Sequence, residues 1–262
     1  MAAMLRSIFT MSAATALSRL TGFVRTMVQA AAVGTGTVVA EAYTVSNTLP
    51  NQIYELFMGG LLSSIFIPLL VERLSRHGEE DARRLTGALL NLIVPSLAAV
   101  AALGIVFAGP IIRLATDWTG SGNLPPERAR ETTELAVLLF RVFALQIVFY
   151  GIGALATGVL NAHRRFFLPT FAPVLNNLAV IASFAGYAAL APHRPLAAVY
   201  LLAAGTTLGV AAMSLVLVPQ ALRLGYRPQP VAWHPSLLPA ARLAGPMLVF
   251  VAAAVGVQAA AN

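Results

Sequence analysis

Residues 7–33 read SIFTMSAATALSRLTGFVRTMVQAAAV. The run is long enough for a bilayer-crossing helix, which needs roughly 20 predominantly apolar residues. It is not apolar on every side. At about 100° per residue, Ser12, Thr15, Arg19, Gly22, Thr26 and Gln29 fall on one face, with Ser18 and Arg25 at its edge. Leu17, Leu20, Phe23, Val24, Met27 and Val28 occupy the other side. A charge at bilayer depth costs at least about 2.5 to 3.5 kcal/mol, so such arginines need partners or water. Cleavage as a signal peptide, with Arg6 as the basic region and Ala14-Thr15-Ala16 as the cleavage site, is disfavoured. Thr10, Ser12 and Thr15 interrupt the apolar core, and Arg19 follows at once.

The next span, about 41–71, repeats the design. Glu41, Thr44, Thr48, Asn51, Gln52, Glu55 and Gly59 recur every three or four residues, while Leu49, Ile53, Leu56 and Phe57 lie away from that stripe. Pro50 is expected to bend the helix or break one backbone bond beside the stripe. Two readings compete. Either Arg19 and Arg25 pair with Glu41 and Glu55 to hold two helices together, or the two stripes wall a hydrated cavity. Arginine suits a phosphate-bearing cargo, because its planar fork donates paired hydrogen bonds and stays charged.

The rest of the chain agrees with a membrane setting. Of 262 residues 58% are hydrophobic and only 10% charged, with mean hydropathy +0.78. Soluble domains carry about 25% charged residues, so an ordinary cytosolic globule is excluded. Six stretches are long and apolar enough to span: about 7–33, 41–71, 86–116, 131–160, 167–191 and 195–222. A seventh begins near 239 and is still apolar at Asn262, so the chain reads as a fragment or truncated copy of a longer protein. The expected fold is an all-α polytopic membrane protein: a six-helix lobe over 1–222, a cytoplasmic linker over 223–238, and the start of a second lobe over 239–262.

The net charge is +7, and every basic residue other than histidine is arginine. Nucleic-acid binding would need a basic patch on a solvated face. Here the arginines stand singly or in pairs between apolar runs, so the phospholipid bilayer is the expected partner. With the N-terminus inside, ten arginines (Arg6, Arg73, Arg76, Arg83, Arg84, Arg164, Arg165, Arg223, Arg227, Arg242) are cytoplasmic and four (Arg113, Arg128, Arg130, Arg194) lie toward the outside. That is the positive-inside bias. The loop from Glu72 to Arg84 carries both signs and reads as a solvated connector. Asp117–Pro126, rich in Gly and Pro, reads as an outer surface loop.

Weaker signals remain. Arg141, within the fourth span, either faces the same cavity or has a private partner. Asn176 and Asn177 follow Pro169 and Pro173, and suit interhelical hydrogen bonding. Gly151, Gly153 and Gly158 suit close helix packing rather than a dinucleotide loop, since no strand precedes them. His77, His163, His193 and His234 are isolated in loops without metal-ligand spacing. There is no cysteine, which removes disulfides and thiolate chemistry. No nucleophile–base or paired-carboxylate arrangement is present, so neither an enzyme nor a cofactor is expected.

Ser18-Arg19-Leu20-Thr21-Gly22-Phe23-Val24-Arg25 resembles the SR-x-x-GF-x-R signature that opens the MurJ/MviN lipid II flippases. Ala40-Glu41-Ala42-Tyr43, Leu49-Pro50-Asn51 and Phe66-Ile67-Pro68 are similar to its following motifs. Leu160-Asn161 with Arg165-Phe166, and Phe171-Ala172-Pro173 with Leu175-Asn176, continue the register. The resemblance spans residues 5–262 and is most specific in the first 70. It implies two six-helix lobes around a central cavity, in the multidrug/oligosaccharidyl-lipid/polysaccharide exporter superfamily. It further implies a bacterial inner-membrane location and alternating-access transport of an undecaprenyl-pyrophosphate-linked peptidoglycan precursor.

On that resemblance the substrate-binding candidates are Arg19, Arg25 and Glu41, joined by Asn51, Glu55 and Arg141 from the polar stripes. The chain also departs from the pattern. Gln52-Ile53-Tyr54-Glu55 stands where many members have two apolar residues and two arginines, and Gly59-Gly60 replaces an acid-glycine pair. Two other functions stay open at this point. One is a proton-coupled exporter of cationic small molecules using Glu41 and Glu55. The other is a non-transporting membrane scaffold for cell-wall synthesis enzymes, since one lobe cannot rock against a missing partner.

Overall fold

The computed structural model describes residues 2–55, 65–116, 125–229 and 234–235, and among them all regular structure is helical. The helices are α1 (Ala2–Val33), α2 (Val38–Glu55), α3 (Ile67–Arg76), α4 (Gly78–Val106) and α5 (Ala108–Ala115), then α6 (Pro126–Phe143), α7 (Gln146–Ala162), α8 (Phe167–Leu190), α9 (Pro195–Leu215) and α10 (Val218–Arg223). Four helical runs are long and apolar enough to cross a membrane: Gly78–Val106, Pro126–Ala162, Phe167–Leu190 and Pro195–Arg223. Neither α1 nor α2 is among them, which fits the polar stripes on both. The seventh span, Gly59-Gly60 and most of the outer loop lie outside the described residues.

Several expected single spans are two helices each. The third breaks at Phe107, between α4 and α5. Pro110 has no N–H for the carbonyl of Val106, where α4 stops. The sixth breaks between α9 and α10 in the same way, with Pro219 four residues after Leu215. The fourth breaks at Ala144 and Leu145 without a proline. There the Thr207 hydroxyl of α9 donates to the Val142 carbonyl at 3.4 Å, and the buried Gln146 amide donates to Thr207 at 3.3 Å. By contrast, α2 runs through Pro50 to Glu55. The bend expected there does not end the helix.

Glu72–Arg84 is not a loose connector. It is the end of α3 and the start of α4, separated by a sharp turn at His77 and Gly78, with Gly78 at φ +85°. Glu79, Glu80 and Asp81 occupy the first turn of α4, where carboxylates favour the helix dipole. Glu72–Arg76, Glu79–Arg83 and Glu80–Arg84 are i,i+4 ion pairs that add to the local helix.

The packing makes one lobe. α1 lies along α8, α8 along α9, α9 along α7, and α7 along α4, while α2 lies on α6. Two apolar clusters hold it together. One gathers Leu70, Tyr150, Leu160 and Val210; the other gathers Tyr43, Phe140, Phe143 and Phe184. Glycines permit the close approaches as expected. A Cβ on Gly153 would stand 2.7 Å from the Ser214 hydroxyl, and one on Gly205 would stand 2.4 Å from the Ser183 Cβ.

Candidate functional site

The turn carrying Ser18 to Arg25 is fixed from behind by α8. Buried Asn177 donates from Nδ2 to the Ser18 carbonyl and to Thr21 Oγ1, both at 3.1 Å. A Cβ on Gly22 would lie 3.5 Å from that amide, in ordinary van der Waals contact. The interhelical role expected for the asparagine pair therefore falls on Asn177. Asn176 Oδ1 is buried without a hydrogen-bond partner.

With α8 covering one face, α1 shows two others. Leu20 (61% exposed), Phe23 (64%) and Met27 (58%) form an apolar face suited to lipid. Ser12, Thr15, Arg19 and Thr26 form an exposed polar flank. Arg25 sits half-buried where the polar flank meets the packed face. It lies within electrostatic reach of the Tyr43 and Tyr150 hydroxyls, on α2 and α7.

On α2 the packed face is Ala42, Tyr43, Ser46 and Pro50, and the exposed stripe includes Thr44, Asn51 and Glu55. The Tyr43 ring meets Phe143 and Phe184 edge-on, and its hydroxyl is 3.3 Å from Thr206 Oγ1. Tyr150 donates its hydroxyl to Asn51 Oδ1 at 3.1 Å, and its ring centroid is 4.5 Å from that of Tyr54. Tyr54, at the position of a cavity arginine in the resembling family, is thus a packing partner of α7. α1 and α2 have at most marginal contact, because each lies on a different neighbour. The two polar stripes thus sit on separate neighbours, and the buried Tyr43 and Tyr150 are the groups that Arg25 reaches on α2 and α7.

The structure does not bring the six candidates into one cluster. Glu41 pairs with Arg128 at 3.4 Å, near the starts of α2 and α6, and Arg128 also donates to the Gly36 carbonyl. Among the described residues, neither Arg19 nor Arg25 forms an ion pair with Glu41 or Glu55, so the helix-clamping reading of these charges is not what the side chains do. Arg141 is exposed on the face of α6 that carries Arg130 and Glu134, opposite the buried Leu139, Phe140 and Phe143. It has neither a private ion pair nor a place beside the α1 arginines.

Sequence reasoning missed Tyr150 and Arg128. A lone tyrosine in an apolar helix carried no signal, and Arg128 was counted only among the outer arginines, with no partner assigned to it. The histidines are also less isolated than expected. His234 is buried 3.3 Å from Asp81, which also meets Arg73 at 3.6 Å. His163 donates from Nδ1 to the Val159 carbonyl at 2.9 Å and meets the Tyr226 ring edge-on. No cluster among the described residues suits a metal ion.

Fold and site together define a class: a multi-pass helical membrane protein whose first two helices carry polar stripes, the first of them bearing arginines. The family model for lipid II flippase MurJ matches residues 29–256. Lipid II flippase MurJ of Burkholderia cenocepacia is 33% identical over 215 residues, covering 82% of this chain and 39% of that protein. Probable lipid II flippase MurJ of Rhizobium meliloti is 30% identical over 222 residues, covering 83% and 40%. A solved structure of lipid II flippase MurJ in an inward closed conformation shares the fold, with TM-score 0.71 at 22% identity over 92% of this chain and 47% of that one.

The chain belongs to the MurJ lipid II flippase family of bacterial multi-pass membrane proteins. It spans 39–40% of the length of these two curated relatives. The family is one of transporters rather than of catalysts.

Proposed function

We propose that this chain supplies the first lobe of a flippase for a polyprenyl-pyrophosphate-linked cell-wall precursor, with Arg19 and Arg25 receiving the pyrophosphate. The observation that carries the reading is the separation of charges. Glu41 is committed to Arg128, so the α1 arginines have no ion pair among the described residues, and we take the polar stripes of α1 and α2 as the walls of the transport cleft. Planar guanidiniums in that position are matched to pyrophosphate oxygens. Asn51 and Glu55 add polar groups along the opposite wall, toward the sugar and peptide portions of the cargo. Cation export by a carboxylate pair is the weaker reading, because one member of that pair is already neutralised.

The orientation follows the arginines. The α3–α4 turn, the α7–α8 turn and the segment after α10 meet at one end: Arg83 donates to the Leu224 carbonyl, and Asn91 donates to that of Gln229 at 2.7 Å. That end is cytoplasmic by the positive-inside rule, which puts the N-terminus inside. Alternating access then requires a second lobe to rock against this one. The test is complementation of a strain depleted of its own flippase by the complete protein. Arg19→Ala and Arg25→Ala should fail to support growth at parental membrane levels; growth with both would remove the site assignment.

A further inference from the structure

A cavity of about 720 Å³ lies on the flank formed by α4, α7 and α10. Its long walls are apolar, with Leu90 and Val94 facing Leu155 and Val159. Along α4 it runs from Thr86 to Pro95, which at 1.5 Å per residue is about 14 Å. That is close to half of a ~30 Å hydrocarbon core, the depth of one leaflet.

One end of this slot holds a buried hydroxyl without an acceptor. Tyr226 lines that end and is only 4% exposed, yet its hydroxyl has no hydrogen-bond partner among the described residues. Burial, partly offset by Arg83 and reinforced by Glu79, pushes that phenol up to about 12, so the hydroxyl remains a donor at neutral pH. Arg227 adjoins Tyr226, and Arg223 adjoins the lining residue Leu222. Both arginines are exposed, and neither forms an ion pair among the described residues. The neighbouring Arg83 and Arg84 are already taken by Glu79 and Glu80. An apolar slot one leaflet deep, with a buried donor at its end and two exposed arginines next in sequence to its lining residues, suits a ligand that is hydrocarbon along its length and anionic at its head.

We propose that this groove holds an acyl chain of one anionic phospholipid from the cytoplasmic leaflet, with its phosphodiester at Arg223 and Arg227 and the Tyr226 hydroxyl donating to a headgroup or ester oxygen. The site is separate from the cleft and does not depend on what the cleft transports. Bound there, the lipid joins α4 and α7 to the segment that leaves the lobe.

The test is native mass spectrometry of the complete protein titrated with phosphatidylglycerol or with phosphatidylcholine of the same acyl chains. Phosphatidylglycerol should be retained preferentially. Arg223→Gln and Arg227→Gln should each weaken its retention about fivefold, as expected for a basic side chain near a membrane surface. Tyr226→Phe should weaken it as well, Leu222→Trp should crowd out both lipids, and Arg165→Gln should change nothing. Equal retention of the two lipids, or parental retention in the Arg223→Gln/Arg227→Gln double variant, would overturn the proposal. So would competition by glycerol phosphate, which has no acyl chain, at the strength of the lipid.

Discussion

Glu41 of α2 is joined to Arg128 at the start of α6, with 3.4 Å between Oε1 and Nη2, and to neither arginine of α1. The pair lies near the starts of α2 and α6, where Arg128 also holds the Gly36 carbonyl. Both side chains are partly exposed, which places the pair with surface ion pairs worth up to about 1 kcal/mol. Glu41→Gln and Arg128→Gln should therefore each lower the unfolding free energy in detergent by less than about 1 kcal/mol. In a double-mutant cycle the second change should add little to the first. Fully additive losses would show that the two residues act separately.

The α8–α9 interface separates two glycines of different consequence. A Cβ on Gly205 would meet the Ser183 Cβ at 2.4 Å, close to backbone that cannot move aside. On Gly186 it would meet only the Leu201 Cδ2 at 2.7 Å, the far end of a flexible side chain. Gly205→Ala should cost about 1–3 kcal/mol as overpacking. Gly186→Ala should cost clearly less. Thermal unfolding of the two variants side by side checks the order, and a reversed order would contradict this packing.

Asn177 fixes the arginine-bearing turn of α1 through two hydrogen bonds. Interhelical hydrogen bonds in membranes average ≈ 0.6 and reach about 1.7 kcal/mol. Asn177→Ala should lose stability in that range. It should also raise the labelling rate of a cysteine placed at Ala14, on the buried side of α1. Unchanged labelling would mean that the apolar contacts with α8 suffice to hold α1.

Tyr226 gives a pH dependence whose sign is set by its burial. Its phenol titrates at about 12 in the folded protein against 10.0 for the free group. A raised value means that folding favours the neutral form, so this contribution is intact below pH 10 and is lost as pH climbs toward 12. Tyr226→Phe should flatten the alkaline fall in stability over that window. An unchanged alkaline limb would show that other groups control it.

What the residues revealed, and what they hid, follows from the range of the forces involved. The polar flank of α1 and the stripe of α2 were legible because helical periodicity is a local property, read directly from Arg19, Thr26, Thr44 and Asn51. The close approaches at Gly153 and Gly205 were legible as a type, since small residues in apolar helices have few other uses. The breaks at Phe107 and after Leu215 were also within reach, through Pro110 and Pro219. The break at Ala144 was not, because it depends on Thr207, a residue of another helix. The Glu41–Arg128 and Asp81–His234 pairs were hidden for the same reason: each joins segments far apart in sequence. The face of α6 that Arg141 occupies was not legible, because it is set by packing with α2 and α9.

The central claim is that the two α1 arginines, left uncompensated by the Glu41–Arg128 pair, receive the pyrophosphate. The most direct measurement is translocation of a polyprenyl-pyrophosphate-linked disaccharide precursor by the complete protein in proteoliposomes, comparing Arg19→Ala, Arg25→Ala and Arg141→Ala at equal protein levels. A charged hydrogen-bonding group is worth about 1.5–3 kcal/mol, so each α1 variant should lose about tenfold or more in rate, while Arg141→Ala should stay near the parent. Parental rates in both α1 variants, or a loss confined to Arg141→Ala, would contradict the account.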